Sequence, residues 1–111
     1  MSRINFIELP VRDLHAAKDF YLKAFGWAMT DFGPSYSCTL SGDIDVGLQA
    51  DQAEATTAAL PVIDVKNLEA ALEQVIAAGG EIVKPIFAFP GGRRFHFRDP
   101  SGNELATAQG D

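Results

Sequence analysis

The sequence predicts an α+β fold made of two tandem βαβββ modules, and three observations predict it. A strand-cap-helix pattern occurs twice. Val11-Arg12-Asp13-Leu14 maps onto Val65-Lys66-Asn67-Leu68 at an offset of 54, which also carries Ala16-Ala17 onto Ala70-Ala71 and Gly26 onto Gly80. Further along the offset grows to 60, where Ser41-Gly42 matches Ser101-Gly102. Third, Gly91 to Ala108 (GGRRFHFRDPSGNELATA) reads as a hairpin. One such module alone leaves a sheet face bare, so two must pair, within the chain or across a dimer. The expected organisation is a single domain of 111 residues, with module 1 at 1–50, a connector at 51–59 and module 2 at 60–111.

The elements follow in order. Ile4 to Val11 alternates as a strand, with Phe6, Glu8 and Pro10 on one face and Ile7, Leu9 and Val11 on the other. Asp13 is an N-cap, Leu14 to Phe25 a helix, and Gly26 its C′ residue. Ala17, Phe20, Tyr21, Ala24 and Phe25 give that helix an apolar stripe at three-four spacing. Trp27 to Asp31, Tyr36 to Leu40 and Ile44 to Gln49 are short strands, separated by Gly33-Pro34-Ser35 and Ser41-Gly42-Asp43. After the connector, Leu60 to Val65 is a strand, Asn67 a cap, and Leu68 to Ala78 a helix stopped by Gly79-Gly80. Glu81 to Lys84 is the next strand and Pro85 to Gly92 a loop or interrupted edge. In the last hairpin, Phe95 and Phe97 point one way and Arg94, His96 and Arg98 the other. Asp99-Pro100-Ser101-Gly102-Asn103 is turn chemistry. Glu104 to Ala108 returns, with His96 opposite Ala106.

Composition removes several function classes. A net charge of −6 argues against a nucleic-acid partner and an anionic membrane surface. No apolar run approaches the roughly 20 residues of a membrane span, and the N-terminus lacks the apolar core of a signal peptide. The single cysteine, Cys38, cannot form an internal disulfide, so a cytoplasmic location is expected. Cys38 lies mid-strand and reads as an inert buried thiol. No phosphate-cradling glycine loop and no Ser-His-Asp arrangement is present.

Phe6 to Leu14 (FIELPVRDL) running into Ala17 to Trp27, the second start at Leu60 to Leu68, and FRDPSGNEL at Phe97 to Leu105 carry a family resemblance. In order and spacing they resemble the vicinal oxygen chelate superfamily, the glyoxalase, bleomycin-resistance and extradiol-dioxygenase group, and especially its short single-domain glyoxalase-like members. The resemblance implies that the two modules pair into a cup-shaped, partly open mixed β-barrel with helices outside, and that the chain forms homodimers. In metal-dependent members a divalent ion sits in the cup on His, Glu and Gln side chains. Carried over by position, those ligands fall on Phe6, Leu60, Ala106 and, by the 60-residue offset, near Val46, with Asp45 the adjacent alternative. Phe6, Leu60, Val46 and Ala106 have no metal-binding side chain. No cofactor is therefore expected, and glyoxalase I activity, which needs that ion, is not. A divalent metal held unusually by Glu8, His96 and Glu104 is the minority alternative.

The chemistry falls to other residues. His96 stands where the fosfomycin-resistance relatives place a substrate-contacting polar residue, and a histidine there titrates near neutrality. Glu8 shares a strand face with Phe6, and a buried carboxylate needs a partner, for which His96, Arg94 or Arg98 is the expected choice. His96 and Glu8 are the catalytic candidates. Arg94 and Arg98 suit a carboxylate or phosphonate. With Phe6, Leu60, Glu104 and Ala106 they form the expected substrate-binding set. Each has a plainer reading: His96 as hydrogen-bonded wall, Glu8 as counter-charge, the arginines as solvated strand ends, Glu104 as rim. The expected function is a glyoxalase-like small-molecule-binding protein, either a metal-independent lyase or isomerase for a small anionic ligand or a bleomycin-resistance-type sequestering protein.

Overall fold

Asp13 and Asn67 start the two helices, each with a side-chain oxygen accepting the backbone N–H three residues on, at 3.0 Å. The structure, a computed structural model, describes residues 2–111. Its elements are β1 (Arg3–Pro10), α1 (Leu14–Phe25), β2 (Thr30–Asp31), β3 (Tyr36–Cys38) and β4 (Asp45–Gln49), then β5 (Leu60–Asp64), α2 (Leu68–Ala77), β6 (Glu81–Phe89), β7 (Gly92–Arg98) and β8 (Glu104–Gly110). The βαβββ order thus occurs twice, and the fold is α+β. The chain divides into two compact units, Phe6–Leu60 and Pro61–Asp111, the latter joined by the residues up to Asn5. Among the described residues no helix is long and apolar enough to cross a membrane.

In the unit Phe6–Leu60 the strands run in the order β2-β3-β4-β1, antiparallel except for the parallel β4–β1 pair. Its strands β2, β3 and β4 are shorter than the sequence pattern suggests, for local reasons. Beyond Cys38 the Thr39 N–H still donates to the Val46 carbonyl at 3.0 Å, but the Val46 N–H goes to the Thr39 hydroxyl at 3.0 Å, which itself donates to Asp45 at 2.7 Å, so a side chain takes half of the next ladder pair. The Ser41 and Gly42 N–H groups also turn to the Asp45 carboxylate, at 2.7 and 3.2 Å. Trp27 leaves the strand path to stack on Tyr21, with ring centroids 4.9 Å apart. The helix α1 ends as expected at Gly26, whose φ of 72° is the left-handed cap conformation.

The apolar stripe of α1 is less covered than its spacing implies. No residue of the helix is fully buried, and Phe20 and Phe25 are 59 % and 65 % exposed.

In the second unit the order is β5-β8-β7-β6, antiparallel except for the parallel β5–β8 pair. Pro85 does not end its strand: β6 continues to Phe89, with register irregularities between Ile82 and Phe87. As the last strand of its unit's sheet, β6 tolerates a proline that donates no ladder bond. His96 pairs with Ala106, the register read from the sequence. The Asp99–Asn103 turn closes on itself. The Asp99 carboxylate accepts the Ser101 and Asn103 N–H groups and the Asn103 amide, each at 2.9 Å. These bonds, led by the Asn103 side chain, hold the Asp99 carboxyl below its usual range.

The two faces of the β7–β8 hairpin differ sharply. Arg93 reaches Glu69 of α2, and the Leu68 N–H donates to the Gln109 side chain at 2.9 Å, so the odd-numbered residues lie on the helix-covered face. There Phe95 is completely buried. The opposite face holds Arg94, His96 and Arg98 beside Ala108, Ala106 and Glu104.

Candidate functional site

His96 is the most enclosed polar side chain on that face, at 0 % exposure. Its Nδ1 lies 2.8 Å from Glu104 Oε2, while Nε2 has no hydrogen-bond partner among the described residues. Burial is the largest influence on the ring and depresses its pKa. The Glu104 hydrogen bond opposes this, and the positive charges of Arg94 and Lys84 add to the depression. The net shift is downward, so the imidazole is neutral at pH 7. The Glu104 carboxylate, an acceptor, fixes the tautomer: Nδ1 donates and Nε2 keeps its lone pair.

The surroundings of His96 are aromatic and cationic. The Phe87 ring stands 5.7 Å from the imidazole. The Arg94 guanidinium lies 5.3 Å from the Phe87 centroid and 5.6 Å from that of Phe89, a cation–π arrangement that holds a nearly buried charge. Lys84 Nζ is 5.8 Å from the Phe87 centroid. Across the hairpin, His96 and Arg94 pair with Ala106 and Ala108, and Ala106 is as completely buried as His96. Arg98 is placed apart from this cluster, at an exposed strand end, 3.3 Å from Glu81. Leu60 is fully buried.

The other unit has a polar centre of its own. Glu8 is 1 % exposed and accepts a hydrogen bond from the Tyr36 hydroxyl at 3.2 Å. Gly47 pairs with Glu8 on β1 and with Cys38 on β3. A Cβ on Gly47 would lie 2.6 Å from Phe6 Cζ and closer still to the Tyr36 hydroxyl. The missing side chain is therefore the room through which Tyr36 reaches Glu8. Gly47→Ala is expected to push both rings aside and cost about 1–3 kcal/mol. Thermal unfolding of Gly47→Ala, Tyr36→Phe and the double variant checks this, since the double should lose less than the sum. Strict additivity would show that Gly47 does not serve this bond.

Pairing also corrects the register of the family's fourth ligand position. Glu8 pairs with Gly47 and Val62 with Ala106, and Glu8 maps to Val62 at an offset of 54, so Gly47 is the counterpart of Ala106 at 59. The position is Gly47, not Val46, and glycine offers no side-chain ligand. Asp45 is already engaged. Burial pushes its carboxyl up, but the Ser41, Thr39 and Gly42 hydrogen bonds outweigh this and hold it below the usual range. A divalent ion of the family type does not fit the donors at Phe6, Leu60, Gly47 and Ala106.

The sequence reads Tyr36 only as an aromatic of the cup or the core, and not as the partner of Glu8. Pairing makes Tyr36 the counterpart of Arg94, since Tyr36 lies opposite Gln49 two pairs beyond Cys38 and Gly47, as Arg94 lies opposite Ala108 two pairs beyond His96 and Ala106.

Residues 3–107 match the Glyoxalase/Bleomycin resistance protein/Dioxygenase superfamily. The chain is 30 % identical over 116 residues to the protein named "Putative glyoxylase CFP32" of Mycobacterium bovis, and equally to the same-named protein of Mycobacterium tuberculosis. These alignments take in 95 % of the chain but 44 % of each relative, so the chain spans less than half the length of these curated relatives. Among solved structures, a superfamily member from Vibrio splendidus 12B01 superposes with a TM-score of 0.72 at 16 % identity, covering 100 % of both chains. Methylmalonyl-CoA epimerase from Mycobacterium tuberculosis gives 0.76 at 12 % identity, covering 97 % of this chain and 87 % of that one. At such identities the likeness is one of fold. The doubled βαβββ order and a sequence match over nearly the whole length place this chain in the glyoxalase/bleomycin resistance/dioxygenase superfamily.

Proposed function

We propose that the protein binds a small organic anion on the His96 face of the β5–β8 sheet and moves a proton there without a metal, as an isomerase or lyase. One observation carries the reading: a completely buried imidazole whose Nδ1 is held by Glu104 and whose Nε2 has no partner among the described residues. A carboxylate-oriented imidazole with a free lone pair is a general base, and its protonated form is stabilised by the same carboxylate. Arg94 supplies the charge that orients a carboxylate or phosphonate, and Ala106 is wall. Glu8 is a second acid–base candidate in its own unit, held by Tyr36.

Full burial of His96 favours a second reading, binding without turnover, because a base with no exposed surface meets a substrate only after its cover moves. The test is a thermal-shift and ligand-observed NMR screen of small mono- and dicarboxylic acids against their neutral amides, before and after dialysis against EDTA. Acids are expected to stabilise the protein, amides not, and EDTA to change neither. Arg94→Gln is expected to remove the response. Binding with turnover that His96→Gln abolishes supports the enzyme, and binding with no turnover supports sequestration. Failure of every acid to bind would overturn both.

A further inference from the structure

His96 has no exposed surface, so turnover and sequestration on its face both need a cover that moves, and β6 has the features of one. We infer that the β6 segment 85–89 is a lid over His96, with Phe87 as the covering ring and the Arg94 guanidinium as its latch.

The lid follows from register. From Ile82 to Phe87, β6 takes five steps while β7 takes three, from Phe97 to Arg94. The strand therefore holds two extra residues, one on each side of Lys84, and each marks a bulge. In a regular strand Lys84 and Phe87 would point to opposite faces. Without the bulge between them, Ile86 would stand opposite Arg94. The bulge instead turns Phe87 onto the face of its partner Arg94, which is the face of His96. The contacts agree. The Phe87 ring lies 5.7 Å from the imidazole, and the Arg94 guanidinium lies against both Phe87 and Phe89.

The same segment is built to part from β7. As the last strand of its unit's sheet, β6 is paired in that unit on one side only. Bulges interrupt the ladder at Lys84, and Pro85 has no N–H to give it. Pro85 and Ala88 are exposed and Phe87 is half-buried, so the ring beside the completely enclosed His96 itself reaches solvent. Segments with an interrupted ladder and exposed backbone open locally at a fraction of the global unfolding free energy.

The cation–π pair holds the lid shut, and a carboxylate competes for the same guanidinium with a stronger, charge-assisted bond. An anion that reaches Arg94 therefore loosens Phe87 and opens its own path to His96. The purpose of the lid thus rests on the proposed anion binding, but its motion does not.

That motion is measured without any ligand, as diethyl pyrocarbonate acylation of the two histidines, resolved by peptide mass spectrometry. His15, exposed on α1, is the internal standard. His96 is expected to react more slowly than His15 but measurably. Its rate should stay flat across urea concentrations too low to unfold the protein, because a local opening exposes little surface. Phe87→Ala should raise the His96 rate about tenfold or more, and Phe87→Leu, which keeps an apolar cover but gives up the cation–π contact, by less. Thermal unfolding shows whether each variant remains folded. A wild-type His96 that reacts only as urea unfolds the whole protein would overturn the lid. So would a His96 as reactive as His15 in the wild type, or an unchanged rate in folded Phe87→Ala. None of these outcomes depends on whether an acid binds or turns over, so failure of the lid and failure of the proposed function are read separately.

Discussion

Gly92→Ala is expected to lower the melting temperature by about 10–20 °C, corresponding to about 2–3 kcal/mol in a domain of this size. Gly92 is buried at the start of β7, paired with Gly110. A Cβ there would lie 3.1 Å from both the Gln109 carbonyl carbon and Gly110 Cα, and closer still to the Gln109 carbonyl oxygen. All three atoms are backbone, so no rotamer change relieves the clash. Relief requires β7 and β8 to separate where the ladder begins, and Arg94 and His96 sit on the same two strands. Gly110→Ala is the control, because its Cβ would meet only the Gly91 carbonyl oxygen, at an ordinary 3.8 Å. It should change the melting temperature by no more than about 4 °C. Equal and small effects in both variants would mean that β7 and β8 do not run as closely as described.

The legibility of this chain in its sequence follows the range of the forces involved. The helix starts at Asp13 and Asn67, the turn Asp99–Asn103 and the pairing of His96 with Ala106 are local, each fixed by residues a few positions apart. They were readable for that reason. Strand lengths were less so. Thr39 and Asp45 end β3 and begin β4 by side-chain bonding that competes with the ladder, which alternation alone does not reveal. Pro85 signalled a break, but proline interrupts a strand only where its missing N–H is needed, and in β6 it is not. The exposure of Phe20 and Phe25 was invisible because an apolar stripe says what a helix can bury, not how much sheet it finds.

The polar residues show the same division. The shared face of Arg94, His96 and Arg98 follows from parity, but parity does not set depth: His96 is enclosed while Arg98 reaches solvent and Glu81. Glu104 follows the turn closely and reads as rim from the sequence, yet its side chain extends to His96. Partner choice was the hardest to read. The sequence suggested a histidine or arginine for Glu8. The structure adds a phenol from a strand 28 residues away, admitted by a glycine on the strand between them.

The acid limb of stability should identify His96 by itself. Burial first, then the charges of Arg94 and Lys84, lower its pKa against the opposing pull of Glu104. The folded state therefore binds this proton less readily than the unfolded chain, whose histidine titrates near 6.5. The stability this contributes is fully present above that value. It declines as pH falls below it, by at most about 1.4 kcal/mol per pH unit, until the folded-state pKa is reached. Urea unfolding of the wild type between pH 7.5 and 5 should show this decline, and His96→Gln should flatten it. Glu104→Gln removes the partner that favours the imidazolium, so the decline should continue to lower pH. The depressed carboxyls of Asp31, Asp45, Glu69 and Asp99 contribute only at more acid pH, below the ordinary carboxylate values near 4, and leave the window clear. A wild type as flat as His96→Gln would mean that the ring is charged, or wetted, in the folded protein. It would then lack the free Nε2 lone pair on which the proposed proton transfer depends.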